Sequence, residues 1–259
     1  MDQYLDFAKD LAVEAGKLML VHFHEGVEHH YKEDKTIVTI ADEEINQMVI
    51  DRVAAKFPDH SVLGEEASND KKAEFAWVVD PIDGTNPYAM GLPVSTFSLA
   101  LCQNGQPIVG VINDPFTKNL YWAVKGGGAF MNGQKLAVSG SELKPGTRMN
   151  VDGWASAKYD TWHIAASLSK KTGVYPLSIG SVVRASTLVA SGKIEAAIFP
   201  GREGKFVDIA AAKIIVEEAG GKVTCMHGQD QRYDQDIDGA VISNGKCHQQ
   251  VLDAIKENK

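Results

Sequence analysis

Cysteine is scarce in this chain: Cys102, Cys225 and Cys247 are the only three in 259 residues, widely spaced and odd in number. That excludes a disulfide framework and a CxxC metal or redox motif, and it fits a reducing, cytoplasmic setting. Long apolar runs are missing too. No stretch approaches the roughly eighteen apolar residues that a membrane span needs. Asp2, Asp6, Asp10 and Glu14 near the N-terminus are foreign to a secretory signal. Positive charge is in deficit, with 26 Lys plus Arg against 34 Asp plus Glu, a net charge of −8 and no block of like charge. A binder of nucleic-acid backbones has the opposite balance. With 44% hydrophobic and 23% charged residues, the chain has ordinary globular composition. Its length allows one large α/β unit or two lobes sharing an interface, and two lobes is the better fit.

Leu5, Ala8, Ala12, Ala15, Leu18 and Met19 recur at three- and four-residue spacing, so an amphipathic helix is expected up to about His22 to Gly26. Ile45, Met48, Val49 and Val53 repeat the pattern in a second helix that starts after Thr39 to Asp42 and stops before Pro58. Short apolar runs at Ser61 to Leu63, Phe75 to Val79, Thr96 to Cys102, Ile108 to Ile112 and Leu120 to Val124 read as strands of one sheet. After Gly140 the pattern alternates. Helices are expected near Asp160 to Ser169, Val183 to Ala190, Asp208 to Glu218 and Cys247 to Lys256, with strands at Ala196 to Phe199, Lys222 to Thr224 and Ala240 to Ile242. The polar segment Ser139 to Thr147 is the candidate boundary, dividing residues 1–142 from 143–259.

The sharpest chemical signal is Trp77-Val78-Val79-Asp80-Pro81-Ile82-Asp83-Gly84-Thr85. An apolar strand runs into two carboxylates held by a proline turn, so Asp80, Asp83 and the Ile82 carbonyl can converge on one hard cation. Gly84 and Thr85 then offer backbone N–H groups where a helix begins, a place suited to an anion. Adjacent cation and anion sites are what metal-assisted phosphoryl chemistry requires. Taken alone, Asp80 and Asp83 also suit a helix cap or turn. The same holds for Glu65 and Glu66 as loop charges and for Asp208 as a helix N-terminal carboxylate.

Five segments in order then resemble the inositol monophosphatase family of Mg2+-dependent, lithium-sensitive phosphomonoesterases. They are Lys32 with Val38 to Asp42; Gly64-Glu65-Glu66; Asp80 to Thr85; Gly126 to Gly133; and Asp208 to Gly221. The resemblance implies a two-lobed αβαβα sandwich, usually a homodimer, with the site between lobes. It implies that Glu65, Asp80 and the Ile82 carbonyl hold one Mg2+, that Asp80, Asp83 and Asp208 hold a second, and that a looser third uses Glu65. It also implies that Thr85, hydrogen-bonded to Asp42, orients and deprotonates the attacking water, while the N–H groups of Gly84 and Thr85 hold phosphate. For Asp42 an N-cap role is the alternative reading. The implied substrate is a small phosphorylated metabolite, inositol 1-monophosphate by default. Histidinol phosphate, fructose 1,6-bisphosphate and 3′-phosphoadenosine 5′-phosphate are the alternatives within the family, and a non-catalytic metal or sugar-phosphate binder is the alternative of another class.

The chain departs from the family pattern in places. Thr85-Asn86-Pro87-Tyr88 lacks the residue the family usually has between Thr and Asn, so a differently shaped loop is expected after the metal turn; Val207 stands where a Trp precedes the last metal ligand, and Pro200 to Val207 holds about two extra residues. In that loop inositol-specific members place an acid that binds ring hydroxyls; here either Glu203 replaces it, alongside Asp83, or nothing does. One of Arg184, Arg202 and Lys205 is expected to reach a second anionic group on the substrate. His22 with His24 and His29 with His30 lack the companions of a zinc site. Phe130, Met131, Trp122, Trp154 and Trp162 are read as packing, and Gly126 to Gly128 lacks the spacing of a nucleotide loop.

Overall fold

The computed structural model describes residues 1–31, 36–154, 157–201 and 207–258. Apolar residues three and four apart make α1 (Asp2–Glu25), which buries Leu11, Ala12, Ala15 and Met19 along one face. An antiparallel pair follows, β1 (His29–Tyr31) and β2 (Ile37–Thr39). Helix α2 (Ile40–Lys56) opens on a capping box in which Thr39 and Asp42 each bond the other's backbone N–H, and it ends just short of Pro58. The chain then forms β3 (Ser61–Gly64), β4 (Phe75–Asp83), the short α3 (Thr85–Ala89), β5 (Thr96–Gln103), β6 (Gln106–Asp114), β7 (Asn119–Val124), β8 (Gly128–Met131) and β9 (Gln134–Lys135). The second half runs β10 (Arg148–Val151), α4 (Thr161–Thr172), β11 (Tyr175–Leu177), α5 (Val182–Ala190), β12 (Ala196–Phe199), α6 (Val207–Glu218), β13 (Lys222–Thr224), β14 (Ala240–Ser243) and α7 (His248–Glu257).

Strands β3 to β9 form one seven-stranded sheet in sequence order, antiparallel apart from the β3–β4 pair. The other large sheet has five strands in the order β11-β10-β12-β14-β13. Strand alternation decides how these sheets stack. Trp77, Val79, Leu99, Leu101, Val109 and Val111 pack with α1 and α2 on one face of the first sheet. Their neighbours Ala76, Val78, Ala100, Cys102 and Ile112 point the other way, into a core shared with α5 and α6. The second sheet repeats the division. Ala197, Phe199, Ala240 and Ile242 face α5 and α6, while Ala196, Ile198 and Val241 face α4 and α7. The result is a five-layer αβαβα sandwich, with α5 and α6 as the middle layer.

Helix α6 lies close against the first sheet because Gly110 has no side chain; a Cβ there would meet Ile214 Cγ2 at 2.5 Å and the Ala211 carbonyl at 3.0 Å. Every expected helix and strand is present, with ends shifted by a few residues. Strands β1, β2, β8, β9, β10 and β11 were not expected. They span only two to four residues each, too few to show a period. Among the described residues no helix is long and apolar enough to cross a membrane.

Candidate functional site

Strand β4 carries the central carboxylates at its end. Its pairing with β5 is regular from Phe75 to Asp80 and then slips before Asp83, a bulge that re-aims the last residues out of the sheet. Gly84 follows in the left-handed conformation, φ 84°, and α3 starts at Thr85. A Cβ at Gly84 would also lie 3.0 Å from the Gly180 carbonyl, so glycine is required by conformation and by space.

Asp80 is buried. One of its oxygens, Oδ1, accepts the Ile82 N–H at 3.1 Å, whereas Oδ2 has no hydrogen-bond partner. Glu65 arrives from the adjacent parallel strand, anchored by its own N–H to the Val79 carbonyl at 3.2 Å. Asp208 comes from the first turn of α6, across the layer boundary. Glu65, Asp80 and Asp208 place one carboxylate oxygen each within 4.8 Å of one another, the one such metal-compatible group among the described residues. All the donors are carboxylate oxygens, the type that hard divalent cations take. The unspent buried oxygen of Asp80 is the charge such an ion would neutralise, so these residues fit a divalent cation.

Asp83 is placed differently. Its Oδ2 accepts the Val183 N–H at 3.0 Å and the Ser181 hydroxyl, so it closes the N-terminus of α5, whose N-cap is Ser181. Asp42 is N3 of α2 rather than its N-cap, the cap being Thr39. Its Oδ2 takes the Thr39 N–H at 2.8 Å and the Thr39 hydroxyl at 2.5 Å, which leaves Oδ1 facing Thr85 Oγ1 at 3.5 Å. The Thr85 hydroxyl sits nearer the Ile82 carbonyl, at 3.0 Å. Capping and contact with Thr85 are therefore divided between the two oxygens of one carboxylate.

Electrostatics follow from crowding. Burial first, then the charge of Asp208, push both Asp80 and Asp83 well above the usual carboxylate range. Hydrogen bonds from Ser181 and Val183 work in the opposite direction on Asp83. A further carboxylate that sequence reasoning missed, Asp152 just past β10, is pushed up to about 6 by burial, with Asp208 adding to it and the Asn150 amide opposing it. The sequence before it, Arg148-Met149-Asn150-Val151, mixes polar and apolar residues and is too short to carry a strand signal that would have marked it.

Glu65, Asp80, Ile82, Asp83, Gly84, Thr85 and Asp208 line a cleft of about 500 Å³ with Tyr31, Thr36, Ile37, Asn86, Pro87, Trp154, Gly180 and Phe199. Trp154 packs against the core and on Phe199, as expected, and also lines the cleft. Trp162 departs from the packing expectation, being 51% exposed. Trp122 does pack, stacked on Phe130 with Lys9 over its face. The glycine turn at Gly126 to Gly128 is a structural clamp. Its N–H groups bond the Glu218 carboxylate at 2.6 and 2.7 Å and tie down the far end of α6, the helix that carries Asp208. Arg184 does not line the cleft. It pairs with Asp114, which is 1% exposed, at the end of β6. Lys32, Arg202, Glu203 and Lys205 lie outside the described residues. The three cysteines are buried free thiols. Burial raises the Cys102 thiol and pushes that of Cys247 up to about 12, so neither is a nucleophile at neutral pH.

The whole chain, residues 1–259, matches the profile of the Inositol monophosphatase family. It is 32% identical over 260 residues to a fructose-1,6-bisphosphatase/inositol-1-monophosphatase of Thermotoga maritima, across 98% of this chain and 96% of that protein. A histidinol-phosphatase of Chlorobaculum parvum is 33% identical over 263 residues, across 97% of this chain and 96% of the relative. The solved structure of a Thermotoga maritima IMPase superposes with a TM-score of 0.88 at 30% identity, covering 99% of this chain and 98% of that one. With the layered fold and the carboxylate trio already in place, these matches establish that the chain belongs to the inositol monophosphatase family and is a phosphoric monoester hydrolase.

Proposed function

We propose that the chain is a Mg2+-dependent phosphomonoesterase of a small phosphorylated alcohol, with inositol 1-monophosphate as the reference substrate. The observation that carries this reading is the Glu65, Asp80 and Asp208 trio with its unpartnered buried oxygen. Two or three Mg2+ ions held by Glu65, Asp80, the Ile82 carbonyl, Asp83 and Asp208 would offset the carboxylate charge, make a water more acidic and stabilise the leaving alkoxide.

The chain's own residues do the rest. N–H groups of Gly84 and Thr85 hold the phosphate oxygens, and the φ 84° turn at Gly84 directs them. Thr85 Oγ1 accepts a proton from the attacking water as its own proton passes to Asp42 Oδ1, which the capping box leaves facing it. Attack is in line on phosphorus, so no side chain is phosphorylated, and the alkoxide takes its proton from solvent. A homodimer in the cytoplasm belongs to the same reading.

The test is phosphate release from inositol 1-phosphate, histidinol phosphate, fructose 1,6-bisphosphate and 3′-phosphoadenosine 5′-phosphate, each with Mg2+ and with chelator. Release from at least one with Mg2+, abolished by chelator, is expected. Release that ignores the chelator would sink the metal reading, and no release from any of them would sink the catalytic one.

A further inference from the structure

Strand β10 presents an amide where its neighbours present hydrocarbon. Met149 and Val151 face α4 and α7, so the alternate residue, Asn150, points toward the middle layer. Its partner on β12, Ala197, belongs to the apolar core there. Asn150 is fully buried. A buried amide costs stability unless both its donor and its acceptor are met. Here Oδ1 accepts the Ile179 N–H at 2.9 Å, and Nδ2 donates to Asp152 Oδ2 at 2.8 Å.

Those two bonds allow one orientation of the amide, because a flip would set its NH2 against the Ile179 N–H. Asp152 is held in turn. Its N–H meets the Ile198 carbonyl at 3.3 Å, and its carbonyl takes the Thr161 hydroxyl at 2.6 Å. Its carboxyl group can accept from the amide whether charged or protonated, since a protonated carboxyl keeps a carbonyl oxygen.

What the amide holds is the segment between β11 and α5. Pairing of β11 with β10 ends at Leu177, and the Asn150 side chain takes the N–H of Ile179 beyond it. Gly180 lines the cleft. A Cβ at Gly84 would meet the Gly180 carbonyl at 3.0 Å and the Ser181 Cβ at 3.1 Å, so this segment lies directly on the turn after Asp83. Ser181, two residues from the pinned N–H, donates its hydroxyl to Asp83 Oδ2, the oxygen that also accepts from Val183.

We infer that Asn150 is a positioning residue for the reaction: through Ile179 it holds Ser181 on one oxygen of Asp83 and so reserves the other for the divalent cation. This rests on the metal reading above, and it assigns part of the cation's binding to a side chain that neither carries charge nor lines the cleft. Asp152 acts through the same amide.

The test titrates Mg2+ into the metal-free protein and follows the rise in melting temperature, which reports binding without turnover. Asn150→Leu keeps the core filled and removes both bonds. It should raise the Mg2+ midpoint about tenfold, the scale of losing a group that orients a metal ligand. In phosphate release its kcat should fall at low Mg2+ and recover at high Mg2+, with KM for the ester unchanged. Asp152→Ala should move the midpoint in the same direction, and Asp152→Asn, which keeps an acceptor for the amide, should restore it. Ser181→Ala should raise the midpoint as well, and the double variant Asn150→Leu/Ser181→Ala should be no worse than the worse single one, because both changes break one chain of contacts. A wild-type midpoint in Asn150→Leu, or in Asp152→Ala should the first variant not fold, would overturn the role of Asn150, as would factors that multiply in the double variant. A wild type whose melting temperature ignores Mg2+ would overturn the metal reading and this role with it, whereas a wild type and variants that respond alike would overturn this role alone.

Discussion

Asp83 Oδ2 accepts the backbone N–H of Val183 at 3.0 Å, across 100 residues of sequence. A carboxylate at the end of the seven-stranded sheet thereby closes a helix of the middle layer, and one wall of the cleft is fastened to the other.

This contact makes Asp83 a structural group as well as a site residue. Asp83→Ala should lower stability by about 1–2 kcal/mol, the scale of a lost helix cap, measured by urea unfolding. Asp83→Asn keeps an acceptor for Val183 and should recover most of that loss. Both should lose phosphate release if Asp83 also serves the metal. An Asp83→Asn enzyme with full activity would leave the cap as its only role.

Asp80 and Asp83 are held above the usual carboxylate range by burial and by Asp208, so ionising them costs the metal-free fold energy. Asp80→Asn should therefore raise the melting temperature in chelator by about 2–4 °C. It should also remove the stabilisation that Mg2+ gives the wild type, about 2.7 kcal/mol at a hundredfold excess over Kd. An unchanged Mg2+ response in the variant would move the metal away from Asp80.

Thr85 Oγ1 lies between Asp42 Oδ1 and the Ile82 carbonyl. Thr85→Ala should lower kcat by about 10²–10³ with little change in KM, as loss of a proton-transfer group does, and Thr85→Ser should retain most activity. A drop in KM affinity without a drop in kcat would assign Thr85 to phosphate binding alone.

His248 supplies a pH dependence far from the carboxylates. Its ring bonds Thr224 Oγ1 at 2.9 Å and Ser243 Oγ at 2.7 Å, and burial, with Lys222 adding, lowers its pKa to about 4. The folded state thus prefers the neutral ring, and an unfolded chain takes up a proton near pH 6.5. Stability from this group is complete above about 6.5 and is lost as pH falls toward about 4, amounting to about 1–3 kcal/mol. His248→Gln should show a shallower loss over that window in urea unfolding, and an identical slope would rule His248 out.

Much of the site was legible because its donors sit where local rules end. Asp80 and Asp83 close an apolar strand, Glu65 closes its neighbour, and Asp208 opens a helix. Strand and helix ends of an α/β layer meet at one edge, so carboxylates at those places converge. Asp152, Trp154 and Ser181 gave no such sign. Each is an ordinary residue at a short element's margin, and its neighbours in space are distant in sequence. Arg184 misled for the same reason: a cation on a helix next to the site suggests an anion, yet its partner is Asp114 on another layer.

By itself the sequence determined the periodic elements, the hard-oxygen chemistry and the phosphatase family, because apolar spacing, turn residues and ordered motifs are local properties of the chain. Only the tertiary structure decided which oxygen of Asp42 and of Asp83 is spent on a helix and which remains for the site. It also placed Glu218 on the glycine turn and turned the Trp154 ring into the cleft. Those outcomes depend on how layers stack, and stacking is set by the summed burial of side chains from the whole chain rather than by any one segment.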